Sequence, residues 1–466
     1  MSKAEKVQGE LLRLGVALLF VLGVVWWSTA EFGEMSNNMF LIIAAVFGAY
    51  MAMNIGANDV ANNVGPAVGA KVMTLTTAII IAAIFEASGA LIAGGDVVGT
   101  IKKKIIDPDM FFSPDEFVWA MTSALLAAAL WLNIATYFRA PVSTTHSIVG
   151  GVMGAGIAAV GISIVSWGTM GQIALSWIIS PVLGGLIAAL FLYIIKKSIM
   201  FRDDKVGQAK KIVPILVSVM AWAFGTYLVL KGLKKVWPSI VDTFTFLPDT
   251  KKPTFLVAVI VGLAVAGLIY LIVKPLVAKA TDKIEDSRTG VNSLFTIPLI
   301  FAAALLSFAH GANDVANAVG PLAGIVDTIT NEGISTKAVI PVWVMMIGAI
   351  GIALGLMLYG PRLIKTVGSE ITELDQVRAY SIAMAAAITV IIASQLGLPV
   401  STTHIAVGGV FGVGFLREYL ERRDPNREQY VKREYLWKIA SAWVITVPVA
   451  ATLSALIFFV IRGIMI

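Results

Sequence analysis

Runs of mostly apolar residues follow one another along the whole chain, at roughly 11–30, 38–57, 72–95, 116–138, 142–162, 170–195, 212–231, 254–274, 293–311, 338–359, 377–396, 400–416 and 438–463. A bilayer is crossed by about 20 such residues in a helix. Charged residues make up only 14% of the chain and the mean hydropathy is +0.86, whereas soluble domains carry roughly 25% charge. The expectation is an all-α polytopic membrane protein of about 12 transmembrane helices, some of them re-entrant or broken. Two pairs of runs are joined very tightly. Segments 116–138 and 142–162 are separated by Phe138-Arg139-Ala140-Pro141, and 377–396 and 400–416 by Gly397-Leu398-Pro399. Such joints suit hairpins that enter and leave on the same side, with irregular backbone sheltered inside protein or beside a cavity.

The charges report topology. Net charge is +6, and Lys and Arg gather in alternate loops: Lys3, Lys6 and Arg13, the stretch Lys196 to Lys211, Lys274 to Arg288, and Arg417 to Lys438. Basic loops stay cytoplasmic, so the N-terminus is expected inside, in a cell (plasma) membrane. Lys102-Lys103-Lys104 runs against that rule. The clustering speaks for topology and not for nucleic-acid binding. Cysteine is absent, which excludes disulfides and thiolate chemistry. The first apolar run lacks a clear small-residue cleavage site before Glu31, and reads as an anchor helix within residues 1–37.

Two motifs occur twice. Gly56-Ala57-Asn58-Asp59-Val60-Ala61-Asn62 returns as Gly311-Ala312-Asn313-Asp314-Val315-Ala316-Asn317, each followed by Gly-Pro (Gly65-Pro66 and Gly320-Pro321). Val142-Ser143-Thr144-Thr145-His146, after Pro141, returns as Val400-Ser401-Thr402-Thr403-His404, after Pro399. The order is the same and the offset nearly constant, so the chain contains a duplicated unit, drawn at 38–162 and 293–417. Residues 163–292 become a middle section with a cytoplasmic loop at 196–211, and 418–466 a loop and last helix. An odd number of crossings separates the two Asn-Asp copies, which makes the repeats inverted. Inverted repeats with interrupted helices place a site near the midplane of secondary transporters.

The chemistry of the motifs is complementary. A carboxylate at membrane depth costs about 3 kcal/mol even on insertion scales, and this chain places one in each repeat. Asn58, Asp59, Asn313 and Asp314 offer hard oxygen atoms suited to sodium, magnesium, calcium or a proton. The adjacent glycines and prolines are expected to unwind the helices and expose carbonyls. Ser143-Thr144-Thr145 and Ser401-Thr402-Thr403 each open a new apolar run. A helix start carries free N–H groups and a partial positive charge, and Ser and Thr cap it. Two such starts facing each other form an oxyanion clamp. Two aspartates would repel a bound oxyanion unless cations lie between, or unless the anion keeps a proton to donate, as hydrogen phosphate does. Sodium bridging Asp59 and Asp314 to the anion would make the binding of one depend on the other.

All three histidines, His146, His310 and His404, lie in or beside the motifs. Each can titrate near neutral pH or serve as a neutral, hydrogen-bonded residue. His310 faces Ile55 in the alignment of the repeats, so symmetry does not require it. Glu86, inside the run Ile79–Ala93, is either a coupling or second ion site or a hydrogen bond between helices. Gly150/Gly154 and Gly408/Gly412 have the small-xxx-small spacing of close helix packing.

These duplicated motifs closely resemble those of the inorganic phosphate transporter (PiT) family, solute carrier family 20 in animals. The resemblance covers both repeats. It implies sodium- or proton-coupled phosphate symport, with phosphate at Asp59, Ser143, Thr144, Thr145, Asp314, Ser401, Thr402 and Thr403 and sodium at Asn58, Asp59, Asn313 and Asp314. Glu86 matches an acidic position of the family's first repeat, and Tyr380-Ser381-Ile382-Ala383-Met384 offers no acid as its partner in the second. No enzymatic cofactor is expected. The expected partners are inorganic phosphate, sodium, the bilayer and a second copy of the chain. Proton-coupled phosphate symport and sulfate symport remain alternatives. So do an intramembrane Ser–His–Asp hydrolase, disfavoured because Ser143 and His146 repeat symmetrically, and a channel, disfavoured by mixing carboxylates with oxyanion donors.

Overall fold

A computed structural model describes residues 3–33, 38–138, 142–234, 236–245, 247–331, 333, 340–361, 364, 374–422, 429–431 and 433–466. Among them the regular structure is helical, with no strand. Helix α1 (Lys3–Phe32) precedes α2 (Asn38–Gly69), α3 (Leu75–Ala93), a short α4 (Gly95–Lys103), the pair α5 (Pro114–Tyr137) and α6 (Thr144–Val160), and α7 (Trp167–Ile195). Helices α8 (Lys205–Gly232), α9 (Trp237–Thr243), α10 (Phe255–Thr281) and α11 (Arg288–Ser293) lead to the second half. There α12 (Thr296–Thr330), α13 (Val342–Tyr359), α14 (Gln376–Gln395), α15 (Thr402–Leu420) and α16 (Arg433–Met465) repeat the order of α2, α3, α5, α6 and α7. Among the described residues, eleven helices are long and apolar enough to cross a membrane. The two remaining apolar runs are α6 and α15, which start in the middle of the bundle.

Two expectations are corrected. The Asn-Asp motifs do not unwind their helices: α2 and α12 run unbroken through them, with Pro66 and Pro321 inside. Neighbouring elements supply partners for the motif side chains, so no backbone carbonyl needs to be released there. The glycines serve packing instead. A Cβ on Gly56 would lie 1.9 Å from the carbonyl oxygen of Ile352, and one on Gly311 would lie 2.1 Å from that of Glu86. Each motif helix therefore crosses the α3-type helix of the other repeat in backbone contact. The second correction concerns 196–211. α7 continues as a π-helical turn over Lys196–Met200 and α8 begins at Lys205, so only a four-residue link stays outside helix. The lysine ammonium groups are carried past the apolar stems by snorkelling, with Lys196 over the ring of Phe201 and Lys197 over Tyr193.

The inversion is visible in the ends of the helices. α2 and α3 are antiparallel, joined by the turn after Gly69. Asp327, near the C-terminus of α12, pairs at 2.7 Å with Lys102 in the last turn of α4, the short helix that follows the C-terminus of α3. α12 thus runs with α3 and against α2. The same pair removes one charge from the lysine triplet that runs against the charge rule: Lys102 is buried and paired with Asp327, which also accepts a hydrogen bond from Asn331.

The hairpins form where the joints suggested. Ser143 caps α6 by accepting the N–H of His146, and Ser401 caps α15 by accepting that of His404. The first joint, 139–141, lies outside the described residues. In the second, Gly397 adopts φ +67°, a left-handed conformation that glycine takes without strain. The tips meet: Thr145 donates to the carbonyl of Val400 at 2.9 Å. Equivalent contacts continue into α7 and α16. Gly408 of α15 packs on the carbonyl of Pro181, and Gly150 of α6 on that of Val447.

Close approach at Gly311 tolerates no side chain. Gly311→Leu is expected to yield little monodisperse protein on size-exclusion chromatography in detergent. Gly267→Leu, whose Cβ would meet nothing within 4 Å, is expected to elute as the native chain does. Equal yields from the two variants would contradict the crossing described.

Candidate functional site

The two hairpin tips and the middles of α2 and α12 converge on one buried cluster. Thr144 donates to Asp59 at 2.6 Å, and its counterpart Thr402 donates to Asp314 at 3.2 Å. Thr403 donates to the other oxygen of Asp59 at 3.0 Å, and Thr144 lies 3.4 Å from Asp314. Asn62 donates to Thr403, and Asn317 donates to Thr144 and Thr145. Every one of these side chains is at most 2% exposed, so the cluster is shut off from solvent. The first turns of α6 and α15, whose earliest N–H groups have no intrahelical acceptors, begin at this cluster.

Asn58 and Asn313 hold the incoming arms of the hairpins. Asn58 donates to Thr136 of α5 and Asn313 to Ser394 of α14, both at 2.9 Å, at equivalent positions. Their amide nitrogens are committed there, which orients the side chains as struts between the motif helices and α5 and α14. Ser143 and Ser401 act as helix caps at the edge of the cluster. Several acceptors have no hydrogen-bond donor among the described residues: the Oδ1 atoms of Asn62, Asn63, Asn313, Asn317 and Asp314, all buried. Buried acceptors are normally satisfied, and an uncompensated one costs about 1–3 kcal/mol. A set of hard oxygen atoms without donors has the chemistry of a site for a hard cation.

Glu86 sits beside this cluster with a partner that the sequence did not assign. Its carboxylate contacts His310 Nδ1 at 2.6 Å and accepts from Asn63 at 2.6 Å. His310 Nε2 faces Asp314 at 3.1 Å and Asp59 at 3.9 Å. Asp59, His310 and Asp314 each offer one ligand atom within 4.8 Å of the others. His310 therefore stands among three carboxylates, fully buried. The available signal was its place four residues before Asp314 on one helix face, together with the break in symmetry at Ile55.

The counterpart of Glu86 is also corrected. Gly56 packs on Ile352 as Gly311 packs on Glu86, so Ile352 of α13, and not the 380–384 stretch of α14, occupies the equivalent position. The polar set Asn63, Glu86 and His310, gathered where α12 crosses α3, thus corresponds to Ala318, Ile352 and Ile55 where α2 crosses α13, all buried. His146 and His404 lie on the far side of the hairpin tips. Their rings pack against each other at 4.4 Å and against Trp177 at 3.8 Å and Trp443 at 3.6 Å. They form a ring stack across the pseudo-twofold axis and do not reach the carboxylates.

Inverted repeats whose hairpin tips meet in a buried cluster of carboxylates, hydroxyls and donor-free oxygens define the architecture of a secondary transporter. The model of the phosphate transporter family matches residues 55–454, and the chain belongs to that family. It is 45% identical to a Helicobacter pylori (strain J99) protein named "Putative phosphate permease", over 98% of this chain and 96% of that one. A Thermococcus kodakarensis protein of like name is 39% identical over 90% of this chain and 97% of its own length. A solved structure titled "The sodium-dependent phosphate transporter" superposes with a TM-score of 0.81 at 36% identity, covering 91% of this chain and all of that one. These relatives are permeases and transporters, not enzymes, which sets aside the hydrolase reading.

Glu86 and His310 form a buried pair, and breaking one partner of such a pair costs about 3–5 kcal/mol. Glu86→Gln and His310→Gln are each expected to lower the melting temperature of the detergent-solubilised protein. The double variant is expected to lose less than the two single losses added together, because contacting residues couple. Strict additivity would contradict the pairing.

Proposed function

We propose that the protein imports inorganic phosphate across the plasma membrane by sodium symport, with its N-terminus cytoplasmic. The observation that carries this reading is the coexistence, in one buried cluster, of donor-free oxygens and hydroxyl groups whose protons are committed to carboxylates. Thr144, Thr402 and Thr403 donate to Asp59 and Asp314. A proton given to an aspartate is not available to an oxyanion. A sodium ion at Asp59 and Asp314, completed by amide oxygens such as those of Asn313, Asn62 and Asn317, takes over the negative charge. The hydroxyls of Ser143, Thr144, Thr145, Ser401, Thr402 and Thr403 can then turn towards phosphate, beside the helix-start N–H groups of α6 and α15. Coupling follows from this exchange of partners: cation binding is what frees the anion's donors.

The paired contacts of Pro181 and Val447 support extending each repeat through α7 and α16, past 162 and 417. Each hairpin would then move with the last helix of the other repeat, on which it packs, as the site opens alternately to each side. The burial of the whole cluster fits the closed intermediate of such a cycle. Glu86 of the first repeat and His310 of the second form a pair across one helix crossing that the symmetry-related crossing lacks, so the surroundings of the two aspartates are inequivalent.

The test is labelled phosphate uptake into proteoliposomes. An inward sodium gradient is expected to drive uptake, and potassium with a pH gradient is not. Asp59→Asn is expected to reduce sodium-driven uptake to background while leaving the protein monodisperse. Thr402→Val, which removes one charge-assisted donor worth about 1.5–3 kcal/mol, is expected to raise the KM for phosphate roughly 10- to 100-fold. Uptake driven by the pH gradient alone would move the coupling to protons. Uptake of labelled sulfate in place of phosphate would replace the substrate.

A further inference from the structure

At the end of the bundle remote from α4, four cationic side chains come from four separate elements: Lys196 after α7, Arg288 at the start of α11, Arg378 in the first turn of α14 and Arg417 in the last turn of α15. They are close enough to act on one another electrostatically: Lys196 feels the carboxylate of Glu421 and then Arg417, Arg378 and Arg288, and Arg417 feels Arg378 together with Glu421 and Asp375. Arg417 is only 6% exposed. Its guanidinium lies flat on the ring of Tyr430, 3.4 Å from the centroid, which fixes the plane and leaves the in-plane N–H groups directed outward from the stack. Its Nε and Nη1 have no hydrogen-bond acceptor among the described residues.

Among the described residues, the nearby carboxylates hydrogen-bond to groups other than the Arg417 guanidinium. Asp375 caps α14 and pairs with Arg378 at 3.2 Å. Glu418 accepts from the backbone of Val431 and pairs with Arg433 at 2.7 Å. Glu421 accepts the hydroxyl of Tyr430. A cation in the last turn of a helix interacts favourably with its dipole, and stacking on Tyr430 adds to that. Neither interaction provides an acceptor for buried guanidinium N–H groups, and neither accounts for the three further cations gathered around them.

We propose that Lys196, Arg288, Arg378 and Arg417 form a binding site for a phosphate-bearing anion. An aromatic-stacked arginine with free donors matches the geometry of phosphate oxygens, and converging cations balance the charge. Arg417 follows Thr403 by 14 residues in one helix, ~21 Å at the rise of an α-helix, so this site is separate from the central cluster. The same chemistry suits the headgroup of an anionic lipid, since juxtamembrane cations attract such lipids, or a soluble phosphate.

The test uses the full-length protein, delipidated in detergent, with dioleoylphosphatidylglycerol as the probe, dioleoylphosphatidylcholine as the control and native mass spectrometry as the readout. Inorganic pyrophosphate is then added as a soluble competitor and titrated alone by calorimetry. The wild-type chain is expected to bind phosphatidylglycerol or pyrophosphate at least fivefold more tightly than Arg417→Gln and Arg378→Gln, with Arg417→Lys keeping most of the binding. Lipid retention that survives pyrophosphate identifies a headgroup, and displacement or direct pyrophosphate binding identifies a soluble phosphate. Arg378 is half-buried and paired at the surface, so its variant keeps the test open if Arg417→Gln does not fold. Unchanged binding of both probes in the glutamine variants that fold would overturn the proposal.

Discussion

Everything in the centre of this protein answers to one constraint: three carboxylates, Asp59, Asp314 and Glu86, are buried at membrane depth within one cluster. Charges placed there are expensive, and like charges so close raise the cost further. The fold responds by bringing donors from distant parts of the chain. Two hairpin tips carry threonine hydroxyls to Asp59 and Asp314, and α12 carries an imidazole to Glu86. The tips can reach the middle of the bundle because α6 and α15 begin there, capped by Ser143 and Ser401. The glycine crossings of α2 with α13 and of α12 with α3 bring the motif helices near enough for the cluster to form.

Much of this was legible because the duplication prints the site twice. Composition established a helical membrane bundle. The Pro- and Gly-containing joints located the hairpins. The pairing of Asn-Asp with Ser-Thr-Thr gave an anion clamp beside hard-oxygen ligands, and the structure brings Asp59, Asp314, Thr144, Thr402 and Thr403 into direct contact. What was not legible depended on packing between segments far apart in the chain. A Gly-x₈-Gly-Pro pattern reads equally as an unwound helix or as a close crossing, and only the position of Ile352 and Glu86 against Gly56 and Gly311 decides for the crossing. The counterpart of Glu86 could not be found from the motifs, because α3 and α13 carry no repeated motif and their offset differs from that of α2 and α12. Sequence also does not show that the amide nitrogens of Asn58 and Asn313 hold Thr136 and Ser394, which leaves only their oxygens for the ligand role expected of them.

The departures from symmetry are as informative as the symmetry. An exact duplicate would place two identical aspartates on the pseudo-twofold axis, with equal claims on a cation. Here Asn63, Glu86 and His310 surround one side with a hydrogen-bonded ion pair, while Ala318, Ile352 and Ile55 make the other side apolar. His310 also faces Asp314 more closely than Asp59. The two aspartates therefore sit in different surroundings although the motifs that carry them are identical.

The central claim is that a cation must take over the aspartates before the threonine hydroxyls can serve an oxyanion. Equilibrium binding of labelled phosphate to the purified protein, titrated in sodium and in potassium at equal ionic strength and pH, tests it most directly. The account predicts binding at least tenfold tighter in sodium than in potassium. Equal dissociation constants in the two salts would contradict it, because the hydroxyls would then be free for phosphate without any cation at Asp59 and Asp314.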